Sequence, residues 1–226
     1  DLAGNLLAMV HANAAGTGWR RDFTHAEAST VQPGQHSNRL TALRTGTEDQ
    51  VFSTAGDGYD PHGNMLHMPH LATLIWDHTD QLRMSRRQAV NASDSDGQTR
   101  HGDTTWYVHD HSGRRIRKQT RTASGALRDE RLYLGGFEIF RRGGPDPLQR
   151  DTIHLTDGGQ RLAMVELRRS GTEPGVPARL IRHQLDDPLG SVATELDDQG
   201  RILSHEEYSP FGSTTFQGRA GLEAPK

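Results

Sequence analysis

One short pattern, Asp-x-x-Gly-x-apolar, recurs along this chain and restricts its fold more than any other feature. It reads "DLAGNL" (Asp1, Gly4, Leu6), "DPHGNM" (Asp60, Gly63, Met65), "DPLGSV" (Asp187, Gly190, Val192) and "DDQGRI" (Asp197, Gly200, Ile202). Looser copies are "DHTDQL", with Asp77 and with Asp80 in the glycine place, and "DHSGRRI", with Asp110, Gly113 and Ile116 one place late. "TASGAL" puts Thr122 where the acid stands, before Gly125 and Leu127, and "TDGGQRL" around Asp157 and Gly159 is a degenerate member. An aromatic often comes first: Tyr59 and Trp76 directly before the acid, Tyr107 three residues earlier. The unit has the chemistry of a tight turn. An Asp at the first position bonds backbone N–H groups two residues on, and a Gly at the fourth takes positive φ without a Cβ clash.

The flanks of these turns alternate. "TWYVHD" before Asp110, "RLAMVEL" after Gly159 and "SVATELD" after Gly190 place apolar residues at every second position, the period of a strand. A long antiparallel β-meander follows. Leu71–Val90 matches a helical period in part, through Leu71, Leu74, Ile75, Leu82 and Val90, but the Trp76-Asp77 turn copy in its middle favours strands. Segments 12–38 and 91–103 are polar and Gly/Pro-punctuated and read as loop insertions, as do 141–150 and 168–178. No boundary separates two compositions, so residues 1–226 read as one repetitive all-β domain.

Composition agrees with a thin β surface. Hydrophobic residues are 32%, about 43% with the 25 Gly included, slightly below the roughly 45–50% of ordinary domains. Aromatics are 6%. The net charge of -3 comes from 26 basic and 29 acidic residues interspersed, which gives neither a nucleic-acid footprint nor an attraction to anionic membranes. With no Cys, disulfides, thiolate nucleophiles and Cys-ligated zinc are excluded. No run reaches the ~18 apolar residues of a membrane helix, and no signal peptide is visible in the sequence.

The sequence assigns no catalytic, cofactor-binding or metal-ligating residue. Asp187 and Asp197 could pair as a proton-sharing dyad, but an acid recurring in turn after turn is a turn residue, and so are Asp186 and Asp198 beside them. His62, His67, His70 and His78 cluster in sequence, and His109 and His111 stand two apart, yet no third ligand is defined by spacing. "DSDGQ" (Asp94–Gln98) lacks the remaining oxygens of a calcium loop, with Ala92 before it and Asp103 where a Glu belongs. "GDG" (Gly56–Gly58) and "LGGF" (Leu134–Phe137) are too short for phosphate loops, and Ser191 sits outside a nucleophile-elbow pattern. The basic run Arg114–Lys118 reads as an exposed charge ladder. The rival from another class is a carbohydrate-binding or adhesion module that would use Trp76 or Trp106.

The residues Tyr59-Asp60-Pro61-His62-Gly63-Asn64-Met65 resemble the tyrosine-aspartate (YD) repeat of Rhs-type proteins. The block 182–216 resembles the late Rhs core more closely still. Its matching positions are His183, Asp187, Leu189, Gly190, Ser191, Asp197, Gly200, Ile202, Glu207, Tyr208, Pro210, Phe211 and Gly212. The likeness is greatest to the C component of bacterial insecticidal toxin complexes and related Rhs-repeat toxins. That resemblance implies a sheet spiralling into a hollow shell, which encapsulates and delivers a variable C-terminal toxin segment. It implies as partners the enclosed toxin, other parts of the same shell and a B-type component of the toxin complex, with a secreted or cell-surface location and no cofactor. In the family a self-cleaving aspartyl site follows the Glu-Tyr-x-Pro-Phe-Gly motif. Here the sequence after it reads "STTFQGRAGLEAPK", so the resemblance implies a section of wall, not an enzyme.

Overall fold

The computed structural model describes residues 1–12, 18–52, 58–68, 70–88, 101–208, 212 and 214–219. Sixteen strands and no helix occur among them. The first four form an antiparallel sheet in chain order: β1 (Ala8–Ala12), β2 (Gly18–Thr24), β3 (Ala42–Thr45) and β4 (Glu48–Val51). The other twelve lie side by side in strict chain order in a second sheet. They are β5 (Leu71–Trp76), β6 (Leu82–Gln88), β7 (His101–His109), β8 (Arg115–Arg121), β9 (Leu127–Leu134) and β10 (Phe137–Arg142). After them come β11 (Leu148–Asp157), β12 (Gln160–Ser170), β13 (Arg179–Asp186), β14 (Val192–Leu196), β15 (Ile202–Tyr208) and β16 (Thr214–Arg219). The all-β meander expected from the repeat is therefore the fold, and 71–76 and 82–88 are strands, with the Asp77 turn between them.

The chain divides into two compact units, 1–104 and 105–226, a division that its even composition does not mark. In the first, Phe52, Leu74 and Met84 are buried. Thr41 is buried too and links segments: its carbonyl accepts the Phe52 N–H at 2.8 Å, and its Oγ1 donates to Thr24 O at 3.0 Å and accepts from the Ala26 N–H at 3.0 Å. The segment 12–38, expected as a loop, needs correction, because β2 runs through it and Ala28 bridges His36. The alternation that identifies a strand was absent because β2 is mostly exposed on both faces and is held by backbone pairing to β1 and β3. Of the expected loop 91–103, residues 91–100 lie outside the described residues, and 101–103 open β7. The expected loops 141–150 and 168–178 shrink to the connections 143–147 and 171–178, because β10 and β11 take both ends of the first and β12 takes the start of the second.

In the second unit the strand register puts unlike rows on the two faces of the sheet. Leu134, Phe137, Ile153, Val165 and Ile181 pair in succession across β9 to β13, so their side chains share one face. The row stays partly open, with Leu134 59% and Ile153 39% exposed. The other face carries charge, described below. Leu148, Ala163, Leu180 and Leu203 are the buried apolar residues of this unit.

Two glycines test the architecture in different ways. Gly190 has φ 82°, and a Cβ there would meet nothing within 4 Å. Gly190→Val is therefore expected to cost about 1–3 kcal/mol through the backbone alone, read as a lower urea midpoint. Gly143 lacks positive φ, but a Cβ would lie 2.3 Å from Leu127 O. Gly143→Ala is expected to destabilise through that clash and to lower amide protection where β9 and β10 meet. An unchanged midpoint for both variants would refute this account of the turns.

Candidate functional site

The repeated acids occupy one geometry. At Asp197 the carbonyl accepts the Gly200 N–H at 3.0 Å, and the Asp197 N–H donates to Arg201 O at 2.9 Å. The carboxylate then takes two further backbone donors, Gln199 N–H at 2.9 Å and Arg201 N–H at 2.8 Å. Asp187 repeats this with Leu189 at 2.8 Å and Ser191 at 2.9 Å, and Asp110 with Ser112 at 2.8 Å and Arg114 at 3.0 Å. Asp77 repeats it with Thr79 at 2.8 Å and Gln81 at 3.1 Å, and Asp1 with Ala3 at 2.9 Å and Asn5 at 2.8 Å. This is a type I turn followed by a residue in the left-handed region, the three-residue hairpin with a bulge. The register shifts beside it at Ile75/Trp76, Leu185/Asp186 and Glu195/Leu196.

The surroundings hold several of these acids ionised. At Asp197 burial opposes ionisation, but the N–H groups of Arg201 and Gln199 and the Arg201 guanidinium outweigh it and keep the carboxyl below its ordinary range. At Asp60 desolvation is likewise outweighed, by Asn64 and the N–H groups of His62 and Gly63. Thr79 and Gln81 lower Asp77, and the Arg114 N–H lowers Asp110. The fifth residue of the unit also contributes a side chain. Asn5 and Asn64 donate to their own corner's acid at 2.9 and 3.0 Å, and Arg201 Nε donates to Asp197 at 2.6 Å. That position is readable in the sequence. The aromatic before the acid ties the corner to the preceding segment: Tyr59 Oη donates to Leu40 O, and Trp76 Nε1 donates to Met65 O, both at 2.7 Å. Tyr208 Oη donates similarly to Val192 O at 2.9 Å.

The second arrangement is a ladder of charges crossing strands of the second unit. Arg150 on β11, Glu166 on β12, Arg182 on β13 and Glu195 on β14 alternate in sign. Arg150 lies 3.5 Å from Glu166, Arg182 lies 2.7 Å from Glu166 and 3.2 Å from Glu195, and Ser204 on β15 donates to Glu195 at 2.9 Å. Arg150, Glu166 and Arg182 are each at most 7% exposed. The Arg182–Glu166 contact is an ion pair whose geometry falls short of a hydrogen bond, and Arg182 Nε finds no acceptor among the described residues. Glu173, from the connection after β12, also binds Arg150, and Arg168 donates to Glu173 O at 3.3 Å and Val176 O at 3.1 Å. Phe140 lies between Arg131 and Arg150 in register, with a guanidinium 5.4 and 5.7 Å from its ring centre. On the opposite face Glu130 is buried and accepts from Arg117 at 2.8 Å, Arg141 at 3.2 Å and Gln119 at 3.2 Å. Burial opposes its ionisation, but these donors prevail and hold its carboxyl below the ordinary range.

The sequence singled out other groups, and the structure places them apart. Asp187 and Asp197 stand at opposite ends of β14, as two successive corners; Asp198 lies in the second turn, whereas Asp186, expected in the first, is paired with Val192 as the last residue of β13. His62 pairs with Asp80, not with another histidine. His109 ends β7 while His111 sits in the Asp110 corner, so they do not share a strand face. Among the described residues no three His, Asp or Glu side chains gather as metal ligands. "LGGF" is the tight turn joining β9 to β10, and Ser191 is a corner residue. "DSDGQ" and most of "GDG" fall outside the described residues. In the basic run, Arg117 binds Glu130 and Arg115 lies over Tyr107 and Tyr133. Trp106 is 40% exposed, whereas the Trp76 indole N–H is used internally. The sequence reading missed the ladder, because single Arg and Glu residues in strands such as "RLAMVEL" become partners only once the register is known.

The chain matches no protein-family model. It is 26% identical to toxin subunit YenC1 of Yersinia entomophaga over 99% of its own length and 22% of that protein. It is 24% identical to toxin subunit YenC2 of the same organism, over 95% of its own length and 23% of that protein. The chain thus spans less than a quarter of the curated relatives it matches. In fold it is similar to a chain of the crystal structure of TcdB2-TccC3-Cdc42, with a TM-score of 0.76, 21% identity, and coverage of 98% of this chain and 10% of that one. A Photorhabdus luminescens Tc holotoxin pore gives a TM-score of 0.63 at 18% identity, over 90% of this chain and 10% of that one. The Rhs-repeat resemblance read from the sequence holds in these comparisons: in sequence the chain is similar to toxin-complex C subunits over nearly its whole length, and its fold is that of toxin-complex structures.

Corner and ladder separate by experiment. The lowered acids of Asp60, Asp77, Asp110 and Asp197 stabilise the fold above the ordinary Asp value, about pH 3.9, and that contribution fades as pH falls through their depressed folded values. Acid titration should therefore loosen these corners first, seen as faster amide exchange at Asn64, Gln81, Arg114 and Arg201. Glu166→Ala leaves two buried guanidinium groups short of a partner and is expected to cost about 3–5 kcal/mol, measured by chemical denaturation. A cost under about 1 kcal/mol, the value of an exposed pair, would contradict the ladder's burial.

Proposed function

We propose that this chain is a stretch of structural wall in an Rhs-type shell that encapsulates a toxic polypeptide for delivery. The observation that carries the proposal is the sheet itself: twelve strands follow one another in strict chain order, and the turns β5–β6, β7–β8, β8–β9, β13–β14 and β14–β15 are corners that their own residues complete. Such a sheet grows by adding hairpins without disturbing those already formed, as in repeat proteins whose units contact only their neighbours. The likeness to C-type toxin subunits and to structures of toxin complexes supports the shell context. The partners in this reading are the enclosed C-terminal segment, the remaining shell of the same polypeptide and a B-type component, and the assembly is secreted. The role is containment, not catalysis: the repeated acids, which would be the natural candidates for chemistry, are engaged by backbone N–H groups.

The test uses the longer protein with its downstream polypeptide attached. Limited proteolysis of the intact protein should leave that polypeptide undigested. A variant carrying Gly190→Val and Glu166→Ala should expose it at a protease concentration the parent withstands. Equal digestion of the segment in parent and variant, with the parent's wall intact by circular dichroism, would count against containment.

A further inference from the structure

Among the Asp-x-x-Gly corners one breaks the rule in a telling way. Asp80 fills the glycine slot of the Asp77 corner with φ 60°, the one non-glycine residue with positive φ among the described residues. Its backbone role there is the ordinary one, donating its N–H to Asp77 O at 3.1 Å. Glycine would fill that role with less strain. The hydrogen bonds of the Asp80 carboxylate go elsewhere, to the corner that precedes it in the same unit: His62 Nδ1 lies 2.7 Å from Oδ1, and Asn64 Nδ2 donates to the same oxygen at 2.7 Å. Asn64 also holds Asp60 at 3.0 Å, so one amide joins the acids of two corners. The two corners lie alongside each other because Leu66, just past the first, accepts the Leu74 N–H of β5 at 2.7 Å.

We infer that Asp80, His62 and Asn64 form a clamp between two successive corners of the first unit, and that protonation of His62 tightens it. The charged groups around it are few. Asp60 adds negative charge beside His62, Arg39 reaches Asp60 O at 3.4 Å, and Asp77 and His78 belong to the Asp80 corner itself. The Asp80 bond and charge, helped by Asp60, raise His62 above its ordinary value, while Asn64 and His62 hold Asp80 below its own. The raised His62 stabilises fully below the unfolded His value and ceases to as pH rises through the folded one. The lowered Asp80 stabilises above the unfolded Asp value and ceases to as pH falls through its folded one. The clamp is therefore tightest in mildly acidic solution, around pH 5–6, and slackens toward alkaline pH.

The experiment follows His62 by NMR titration and amide exchange at Asn64 and Gln81, in the full chain and in two variants. Asp80→Gly relaxes the backbone, so without a clamp it would protect both corners equally well or better. With the clamp it should lower protection at pH 5.5 by roughly two- to fivefold, lower the His62 midpoint, and differ less from the parent at pH 8. Asp80→Asn keeps a residue that tolerates positive φ and an acceptor for Asn64, and should abolish the difference between the two pH values. Protection unchanged or raised in Asp80→Gly, a His62 midpoint that does not move, or a pH difference that survives in Asp80→Asn would each overturn the inference. If Asp80→Gly does not fold, His62→Gln, which leaves the Asp77 corner intact, takes its place with the same expected loss of protection at pH 5.5.

Discussion

The rest of the structure depends on how a hairpin of this chain is closed. In the described residues each strand touches chiefly the strands hydrogen-bonded to it. A one-residue slip would exchange the two faces of a strand, so the pairing of each hairpin needs something to oppose it. The corner supplies that opposition. It fixes the backbone over five residues, from the acid's own N–H to the carbonyl of the fifth residue, and places one extra residue in a bulge. Its carboxylate satisfies two N–H groups that the turn leaves unpaired. Register is thereby decided locally, before any long-range contact is made, which suits a meander in which every pairing is between chain neighbours.

Once register is local, the faces can carry chemistry that a packed core would not accept. Across β11 to β14 a row of alternating Arg and Glu is among the least exposed sets of side chains in the second unit, while the apolar row on the other face remains half open. A lone buried charge would be costly. In the row each one has an opposite charge on a neighbouring strand, and Ser204 and Gln184 add hydrogen bonds to Glu195. Long guanidinium stems also cover the sheet surface that scarce aromatics leave bare. Low apolar content and a well-formed sheet are compatible for this reason: part of the cover is aliphatic arginine.

The corners were legible in the sequence because all their chemistry lies within five residues. Asp187 and Asp197 announced their turns, and the strand between them alternated as strands do. β2 was not legible, since "GWRRDFT" pairs through its backbone and buries little of either face. Nor was the ladder, because Arg182 meets Glu166 and Glu195 only through the register of β12, β13 and β14. The clamp stood between these cases. Asp80 in the glycine slot was visible as an irregularity, but its reason lies sixteen and eighteen residues back, at Asn64 and His62.

Departures from the pattern show which part of the corner is indispensable. Thr122 keeps the backbone bonds, with the Gly125 N–H to its carbonyl at 2.8 Å and its own N–H to Ala126 O at 2.9 Å. Its hydroxyl does not take the two N–H groups that an Asp carboxylate would. It pairs with Ser124 at 2.9 Å, and Arg121 supports the turn from outside through Gly125 O at 2.9 Å. Asp80 shows the converse, a corner whose acid is present and whose glycine is not. In both, the left-handed fourth residue persists, as Gly125 at φ 85° or Asp80 at φ 60°. The backbone shape is therefore the invariant of the corner. The acid reinforces it, and where Asp80 replaces the glycine its carboxylate bonds beyond its own turn, to His62 and Asn64.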